Sequence, residues 1–99
     1  MQSKLFIGGK WAEPLEGGTL DVINPATEQV FHRCAAGTAA DVDAAVAAAK
    51  GAMAGPWSRT SGHDRAGYLR AIAAKIEEQK QALAEIEVRD NGKPLRETM

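Results

Sequence analysis

Alanine dominates the apolar content of this chain and limits the hydrophobic core that the chain can build. Of the 99 residues 44% are hydrophobic, but 19 residues are alanine and only 18 are Leu, Ile, Val or Phe. Small domains bury a modest share of their surface and lie near the limit of stability. Such a chain needs another surface to pack against, so we interpret it as part of a larger fold.

Charge and cysteine content exclude several classes of protein. Twelve Lys and Arg against thirteen Asp and Glu give a net charge of −1, without the basic surface that nucleic acid or an anionic membrane requires. No apolar run reaches the roughly eighteen residues of a membrane span, and no secretory signal is recognisable, so we expect a cytoplasmic protein. Cys34 is the single cysteine, which excludes an intrachain disulfide and fits a reducing compartment.

Glycine and β-forming residues at the start of the chain predict a tight hairpin. Leu5–Ile7 and Lys10–Trp11 flank the pair Gly8-Gly9. Two consecutive glycines suit the positive φ angles of a two-residue hairpin turn. The sequence therefore predicts two short antiparallel strands here.

A second strand pair is predicted further along the same region. Thr19–Ile23 is rich in alternating and β-branched residues and is followed by Asn24-Pro25, a pair that initiates turns. The segment Glu28–Ala35 is expected to pair with it across that turn. Residues 1–36 together are predicted to form a small antiparallel β ribbon.

The hydrophobic period changes to that of a helix at Thr38. Asp41 lies three residues after Thr38, as in a capping box, and a helix is predicted over 38–54. Its apolar positions fall on one face, which we interpret as a packing surface. These positions are Val42, Ala45, Val46, Ala49 and Met53.

A second helical region is predicted over 61–91. Ser61 and Asp64 repeat the capping pattern, and Asn91-Gly92 supplies the expected helix end. The polar patch Gln79–Gln81 interrupts the apolar stripe. The pattern therefore allows either one long helix or two consecutive helices with a bend.

No catalytic or cofactor-binding residue is predicted within this chain. Gly92-Lys93 is followed by proline and lacks the glycine spacing of a phosphate-binding loop. Cys34 lies near His32 on a predicted strand, and we interpret it as a packed structural thiol. Asp41 and Asp43 are interpreted as part of a solvated helix face.

Asp90 is the one acidic residue whose position needs an explanation. It lies in the last turn of a predicted helix, where the negative end of the helix dipole disfavours an acid. A surface ion pair with Arg89 or Lys93 would offset this cost. A cation held between the carboxylate and backbone carbonyls would do so as well. The residues alone leave both interpretations open.

Five blocks of the sequence, in order, resemble the N-terminal portion of NAD(P)-dependent aldehyde dehydrogenases. The stretch from Ser61-Gly62 through Arg65–Ile76 is most similar to the betaine aldehyde and aminoaldehyde dehydrogenase branch. The five blocks are Leu5–Trp11, Val22–Glu28, Asp41–Val46, Arg65 with Tyr68–Ala73, and Asp90–Leu95.

The resemblance implies an α/β fold in which residues 1–99 form an incomplete N-terminal part of the Rossmann-like cofactor-binding domain. It implies oxidation of an aldehyde with NAD(P) by a homo-oligomeric enzyme. In the family, the nucleophilic cysteine, the general base and the cofactor motif lie downstream of the block matching Gly92-Lys93-Pro94. Cys34 does not match the nucleophile, so the expected partner of this segment is the remainder of the parent chain.

The resemblance also implies one binding site. Many betaine aldehyde dehydrogenases bind a monovalent cation through backbone carbonyls at the positions matching Val22 and Ile23 and through the carboxylate matching Asp90. We therefore expect K⁺ or Na⁺ at these three residues. A different class remains as the alternative, in which the chain is a stand-alone interaction module derived from this fold and is not an enzyme.

Overall fold

The computed structural model describes residues 3–99, so residues 1 and 2 of the predicted ribbon lie outside the described residues. Two compact units divide these residues: one comprises 3–22 and 32–59, the other 23–31 and 60–99. Strands and helices follow each other as the predicted α/β class requires. The elements are β1 (Leu5–Ile7), β2 (Lys10–Ala12), β3 (Thr19–Asn24), β4 (Gln29–Ala35), α1 (Ala39–Ala54), a 3₁₀ turn (Pro56–Arg59), α2 (Gly62–Asn91) and α3 (Leu95–Thr98).

The first hairpin confirms the interpretation of the glycine pair. β1 and β2 are antiparallel, and Ile7 lies opposite Lys10. Gly8 and Gly9 have φ angles of 61° and 78°, the left-handed values that a tight hairpin turn needs at both central positions. Across the hairpin, the ring centroids of Phe6 and Trp11 are 4.9 Å apart. The glycine pair thus supplies the backbone conformation that this register needs at the turn.

β3 and β4 form the second antiparallel pair, as predicted. The turn between them is built on Asn24, whose side-chain oxygen accepts a hydrogen bond from the Ala26 N–H at 2.9 Å. The Asn24 carbonyl accepts a second bond from the Glu28 N–H at 2.8 Å. Glu28 closes the turn with a φ of 61°. Asparagine initiates this turn because its side chain satisfies a backbone donor that would otherwise be unpaired.

Asp41, in the first turn of α1, is buried, and its interpretation as part of a solvated face is wrong. Its carboxylate accepts hydrogen bonds from the Thr38 N–H at 2.8 Å and the Thr38 hydroxyl at 3.1 Å. It also accepts one from the Leu15 N–H at 3.0 Å. The side chain therefore fastens the loop around Leu15 to the start of α1, and only 4% of its surface is exposed.

These bonds change the acidity of Asp41. Hydrogen bonds from the Thr38 and Leu15 N–H groups favour the ionised carboxylate and outweigh the opposing effect of desolvation, so the pKa of Asp41 is lowered. Asp43, two residues further along α1, is exposed. The two acids differ because a helix directs residues two positions apart to different sides.

α2 is a single helix of 30 residues, so the one-helix alternative is correct. It starts at a reciprocal cap in which the Ser61 N–H donates to the Asp64 carboxylate at 2.9 Å and the Asp64 N–H donates to the Ser61 hydroxyl at 3.0 Å. The polar patch stays helical, with Lys80 paired to Glu77 at 2.6 Å. The interruption of the apolar stripe therefore changes the surface of the helix without bending it into two.

The chain buries few side chains, as its alanine content predicts. Within residues 3–99 the buried ones are Pro14, Asp41 and Ala84. Val42, Val46 and Met53 of the predicted packing face of α1 are all exposed. The predicted packing faces of the helices are thus present but largely uncovered in this chain.

We expect Asp41→Asn to remove a pH-dependent part of the stability. Because the folded pKa lies below the unfolded value of about 4, the carboxylate stabilises the fold above that pH. This contribution is lost as the pH falls through the folded pKa. The thermal midpoint of Asp41→Asn, followed by circular dichroism, should lie below that of the wild type at pH 7, with the gap closing under acid conditions.

The matched control for this experiment is Asp43→Asn, an exposed acid on the same helix. Its midpoint should follow the wild-type midpoint at every pH. Identical pH profiles for Asp41→Asn and Asp43→Asn would contradict the role of Asp41.

Candidate functional site

The C-terminal end of α2 stops sharply at Gly92. Gly92 adopts the left-handed conformation with a φ of 78°, and its N–H donates to the Val88 carbonyl at 2.9 Å. The Asn91 side-chain oxygen accepts from the Lys93 N–H at 2.8 Å. Carbonyls of a last helical turn lack intrahelical donors and carry the negative end of the helix dipole. Asp90 adds its carboxylate to this electronegative end.

The turn after β3 lies directly against this helix end. A Cβ atom placed on Gly92 would be 3.2 Å from Cγ of Pro25, which is closer than such contacts normally are. The left-handed backbone favours glycine at position 92, and the close approach of Pro25 means that a larger residue would push this proline away by a few tenths of an ångström. The contact holds the end of β3 beside the last turn of α2, within the second unit.

Asp90 is exposed and has no partner among residues 3–99. Lys93, a proposed partner, instead lies 3.7 Å from the Glu87 carboxylate, and the Asn91 side-chain amide also donates to Glu87 at 3.3 Å. Arg89 makes no ion pair with Asp90 either. The surface ion pair that the sequence left open is therefore not formed, and the carboxylate remains available to a ligand.

The three predicted cation ligands are distributed over the end of β3 and the end of α2. Ile23 and Asp90 belong to the second unit, whereas Val22 is the last residue of its segment of the first unit. Val22 is half-buried and Ile23 is exposed. Backbone carbonyls and one carboxylate are hard oxygen donors of the kind that an alkali cation accepts. Their assembly into a binding site stays a prediction.

A metal site made only of His, Cys, Asp or Glu side chains is not present in the described part of the chain. No three His, Cys, Asp or Glu residues in it are close enough to hold a metal ion. Cys34 is half-buried on β4, and the Nε2 atom of nearby His32 is buried without a hydrogen-bond partner among residues 3–99. His63 is exposed in the first turn of α2. None of these residues forms a nucleophile and base pair in the structure.

None of the helices in residues 3–99 is long and apolar enough to cross a membrane.

The sequence predicts the left-handed end of α2, but no sequence pattern predicts the contact between Pro25 and Gly92. Asn91-Gly92 is a recognisable C-cap pair. The approach of Pro25 depends on tertiary packing between residues far apart in the chain, so no local pattern reports it. The short distance of 3.2 Å between a Cβ atom placed on Gly92 and Cγ of Pro25 reveals the contact.

We expect Gly92→Ala to destabilise the protein by about 1–2 kcal/mol, because an L-residue is strained at positive φ. The contact with Pro25 adds to this cost. Gly67→Ala is the matched control in the interior of the same helix, where no atom lies within 4 Å of the added Cβ. That change should stabilise the protein by about 0.5–1 kcal/mol.

Urea unfolding of both glycine variants measures the two effects. The two changes in unfolding free energy should have opposite signs. A Gly92→Ala variant as stable as Gly67→Ala would contradict the described geometry of the helix end.

Comparison with known proteins relates this chain to one family. A profile of the aldehyde dehydrogenase family matches residues 11–99. Aminoaldehyde dehydrogenase 2 of Zea mays is 54% identical over 97 residues, covering 94% of this chain and 19% of the maize protein. Chloroplastic betaine aldehyde dehydrogenase of Amaranthus hypochondriacus is 48% identical over 98 residues, covering 95% of this chain and 20% of that protein.

Solved structures show the same relation. An aldehyde dehydrogenase from Burkholderia cenocepacia matches with a TM-score of 0.92 and 42% identity over 96% of this chain and 20% of its own. Betaine aldehyde dehydrogenase from Staphylococcus aureus, solved in complex with NAD⁺, matches with a TM-score of 0.92 and 37% identity over 98% of this chain and 20% of its own. The chain thus spans about a fifth of the length of the relatives it matches.

Proposed function

Since this chain belongs to the aldehyde dehydrogenase family, we propose that it is the N-terminal segment of an enzyme that oxidises betaine aldehyde or an aminoaldehyde. The observation that carries this proposal is the 54% identity to a maize aminoaldehyde dehydrogenase over 94% of the chain. Seven other relatives, each named as an aminoaldehyde or a betaine aldehyde dehydrogenase, are 42% to 52% identical to this chain.

The proposed reaction converts an aldehyde, water and NAD(P)⁺ to a carboxylate, NAD(P)H and two protons. The hydride leaves the aldehyde carbon for the nicotinamide, and water supplies the second carboxylate oxygen. This segment contributes no reacting group, because neither Cys34 nor His32 is arranged as a nucleophile with its base. Its proposed contribution is structural: it supplies the ribbon and the helices that the cofactor-binding domain is built around.

The proposed partners follow from that role. The segment packs against the remainder of the parent chain, and the complete enzyme binds a small aldehyde and forms a homo-oligomer. A cytoplasmic location is proposed because the single thiol, Cys34, is free, as in a reducing compartment. Among the relatives, the amaranth enzyme is named as chloroplastic and the apple enzyme as peroxisomal.

A chimeric enzyme tests the proposed function. In it this chain replaces the matching fifth of the Staphylococcus aureus betaine aldehyde dehydrogenase, and formation of NADH from betaine aldehyde is followed by absorbance. The chimera should retain activity within about tenfold of the parent enzyme, which corresponds to about 1.4 kcal/mol. A soluble, NAD⁺-binding chimera without activity would contradict the proposal that this chain is such a segment.

The second part of the proposal is a structural K⁺ or Na⁺ site formed by the Val22 and Ile23 carbonyls and the Asp90 carboxylate. Three observations support it: Asp90 has no partner among residues 3–99, it lies at the electronegative end of α2, and the turn after β3 contacts that end through Pro25. A cation would offset the unfavourable position of the acid. It would also stabilise the contact between the strand end and the helix end.

Asp90→Asn in the chimera should have opposite effects with and without K⁺. Without alkali cations the variant should be at least as stable as the unsubstituted chimera, with a gain of up to about 0.3–1 kcal/mol. The reason is that the amide removes a negative charge from the negative end of the helix dipole. With KCl at ten times the dissociation constant, the unsubstituted chimera should gain about 1.4 kcal/mol. The variant should gain little.

Thermal unfolding in KCl and in choline chloride of equal ionic strength measures this difference. Asp43→Asn, which removes an exposed acid from α1, is the matched control and should keep the full response to KCl. An equal response of Asp90→Asn and Asp43→Asn would exclude the proposed site.

A further inference from the structure

The end of α2 carries a pair of residues at which an asparagine can be modified without an enzyme. In an Asn-Gly pair no Cβ atom stands beside the glycine nitrogen, so this nitrogen can approach the amide of the asparagine side chain. Asn24 and Asn91 are the two asparagines of the sequence, and Asn91 is the one that precedes a glycine. Asn91 and Gly92 are both exposed in this chain.

The reaction that such a pair undergoes is deamidation. The backbone nitrogen of Gly92 attacks Cγ of Asn91, so that an N–Cγ bond forms and the Cγ–Nδ2 bond breaks. Nδ2 leaves as ammonia and takes up the hydrogen that the Gly92 nitrogen gives up. Water then opens the cyclic imide at either carbonyl and leaves aspartate or isoaspartate at position 91. Nothing is oxidised or reduced, and water is the only co-reactant.

Hydrogen bonds at the end of α2 already engage every group that takes part in this reaction. The Gly92 N–H donates to the Val88 carbonyl at 2.9 Å. The Asn91 side-chain amide donates to the Glu87 carboxylate at 3.3 Å, and its oxygen accepts from the Lys93 N–H at 2.8 Å. The nitrogen of the cyclic imide carries no hydrogen, so the bond to Val88 cannot survive the reaction. The last turn must therefore open before the nitrogen attacks.

Pro25 makes this opening more difficult than at an ordinary helix end. Helix ends open locally at a lower free energy than the whole fold. Here a Cβ atom placed on Gly92 would lie 3.2 Å from Cγ of Pro25, so the turn after β3 lies against the capping residue. Opening the last turn of α2 therefore also requires the loss of this contact.

We propose that Asn91 is a deamidation site and that local opening of the last turn of α2 sets its rate. While the turn is closed, the bond between the Gly92 N–H and Val88 keeps the nitrogen from the Asn91 side chain. Once the turn is open, the pair reacts as it does in an unfolded chain. This inference does not depend on the proposed function, because it uses only the residues at the end of α2.

The product weakens the end of the helix at which it forms. A carboxylate at position 91 cannot donate to Glu87, and it places a second acid beside Asp90 at the negative end of the helix dipole. Isoaspartate in addition inserts a methylene group into the main chain next to Gly92. Deamidation should therefore favour the open form of the last turn.

Peptide mass analysis of the natural full-length gene product tests this inference. The protein is kept in neutral buffer, with and without enough urea to unfold it, and is digested with trypsin at intervals. Cleavage after Arg89 and Arg96 isolates Asn91, because trypsin does not cut between Lys93 and Pro94. Conversion of the amide to an acid changes the mass of this peptide, and chromatography separates its aspartate and isoaspartate forms.

In the unfolded protein Asn91 should convert steadily, whereas Asn24 should stay intact because the nitrogen of Pro25 has no hydrogen to give up. In the folded protein Asn91 should convert more slowly by about tenfold or more, because the closed turn excludes the reacting conformation. Equal rates in the two states would overturn the control by the helix end. An unchanged Asn91 in the unfolded protein would exclude the site altogether.

Gly92→Ala tests the chemistry without relying on the fold, because its rate is read in the unfolded protein. The added methyl group hinders the approach of the nitrogen, so conversion of Asn91 should be slower than in the unsubstituted protein. Conversion at an unchanged rate would contradict attack by the nitrogen of residue 92.

Urea below the unfolding transition distinguishes local opening from global unfolding. Opening one helical turn exposes little surface, so the conversion rate of Asn91 should stay nearly constant in this range. A rate that rises with urea as steeply as the unfolded population would assign the reaction to global unfolding and overturn the inference.

Asn91→Asp reproduces the aspartate product and tests its effect on the helix end. Gln81→Glu is the matched control, because Gln81 donates to Glu85 at 2.7 Å with the same spacing of four residues but inside the helix. Hydrogen exchange of the Gly92 amide, read by mass spectrometry, should be faster in Asn91→Asp and unchanged in Gln81→Glu. Equal exchange in the two variants would contradict the effect of the product on the last turn.

Discussion

Burial of apolar surface is the main favourable contribution to folding, and this chain has little of it to offer. Ala84 is the buried apolar side chain of its helices within residues 3–99, while Val42 and Met53 on α1 and Ile72 and Ile76 on α2 are exposed. A domain this small normally lies close to its stability limit even with a well-filled core. The amphipathic faces of both helices therefore have a physical reason to pack against further protein.

Because the hydrophobic core is small, local hydrogen bonds determine where the helices begin and end. Asp41 ties the loop at Leu15 to the start of α1, Ser61 and Asp64 start α2, and Gly92 ends it. Each device satisfies backbone groups that a helix end or a turn leaves unpaired. The arrangement of these elements is the same as in the matching region of a longer solved relative, with a TM-score of 0.92.

The parts of the fold that depend on neighbours in sequence were predictable, and the parts that depend on distant residues were not. Gly8-Gly9 and the Ser61 cap are local signals, and both elements occur where they were expected. The burial of Asp41 was missed because its partner Leu15 is 26 residues away. At the candidate site the sequence identified Asp90, whereas the Pro25 contact and the lack of an ion pair came only from the structure.

The intact mass of the natural gene product, measured by mass spectrometry in its source organism, tests most directly whether this chain is one part of a larger enzyme. Because the segment covers about a fifth of its relatives, the product should be about five times heavier than the 10.5 kDa of these 99 residues. Its remaining sequence should contain the nucleophilic cysteine and the general base that aldehyde oxidation needs. A natural product of 10.5 kDa would contradict this and favour a stand-alone interaction module.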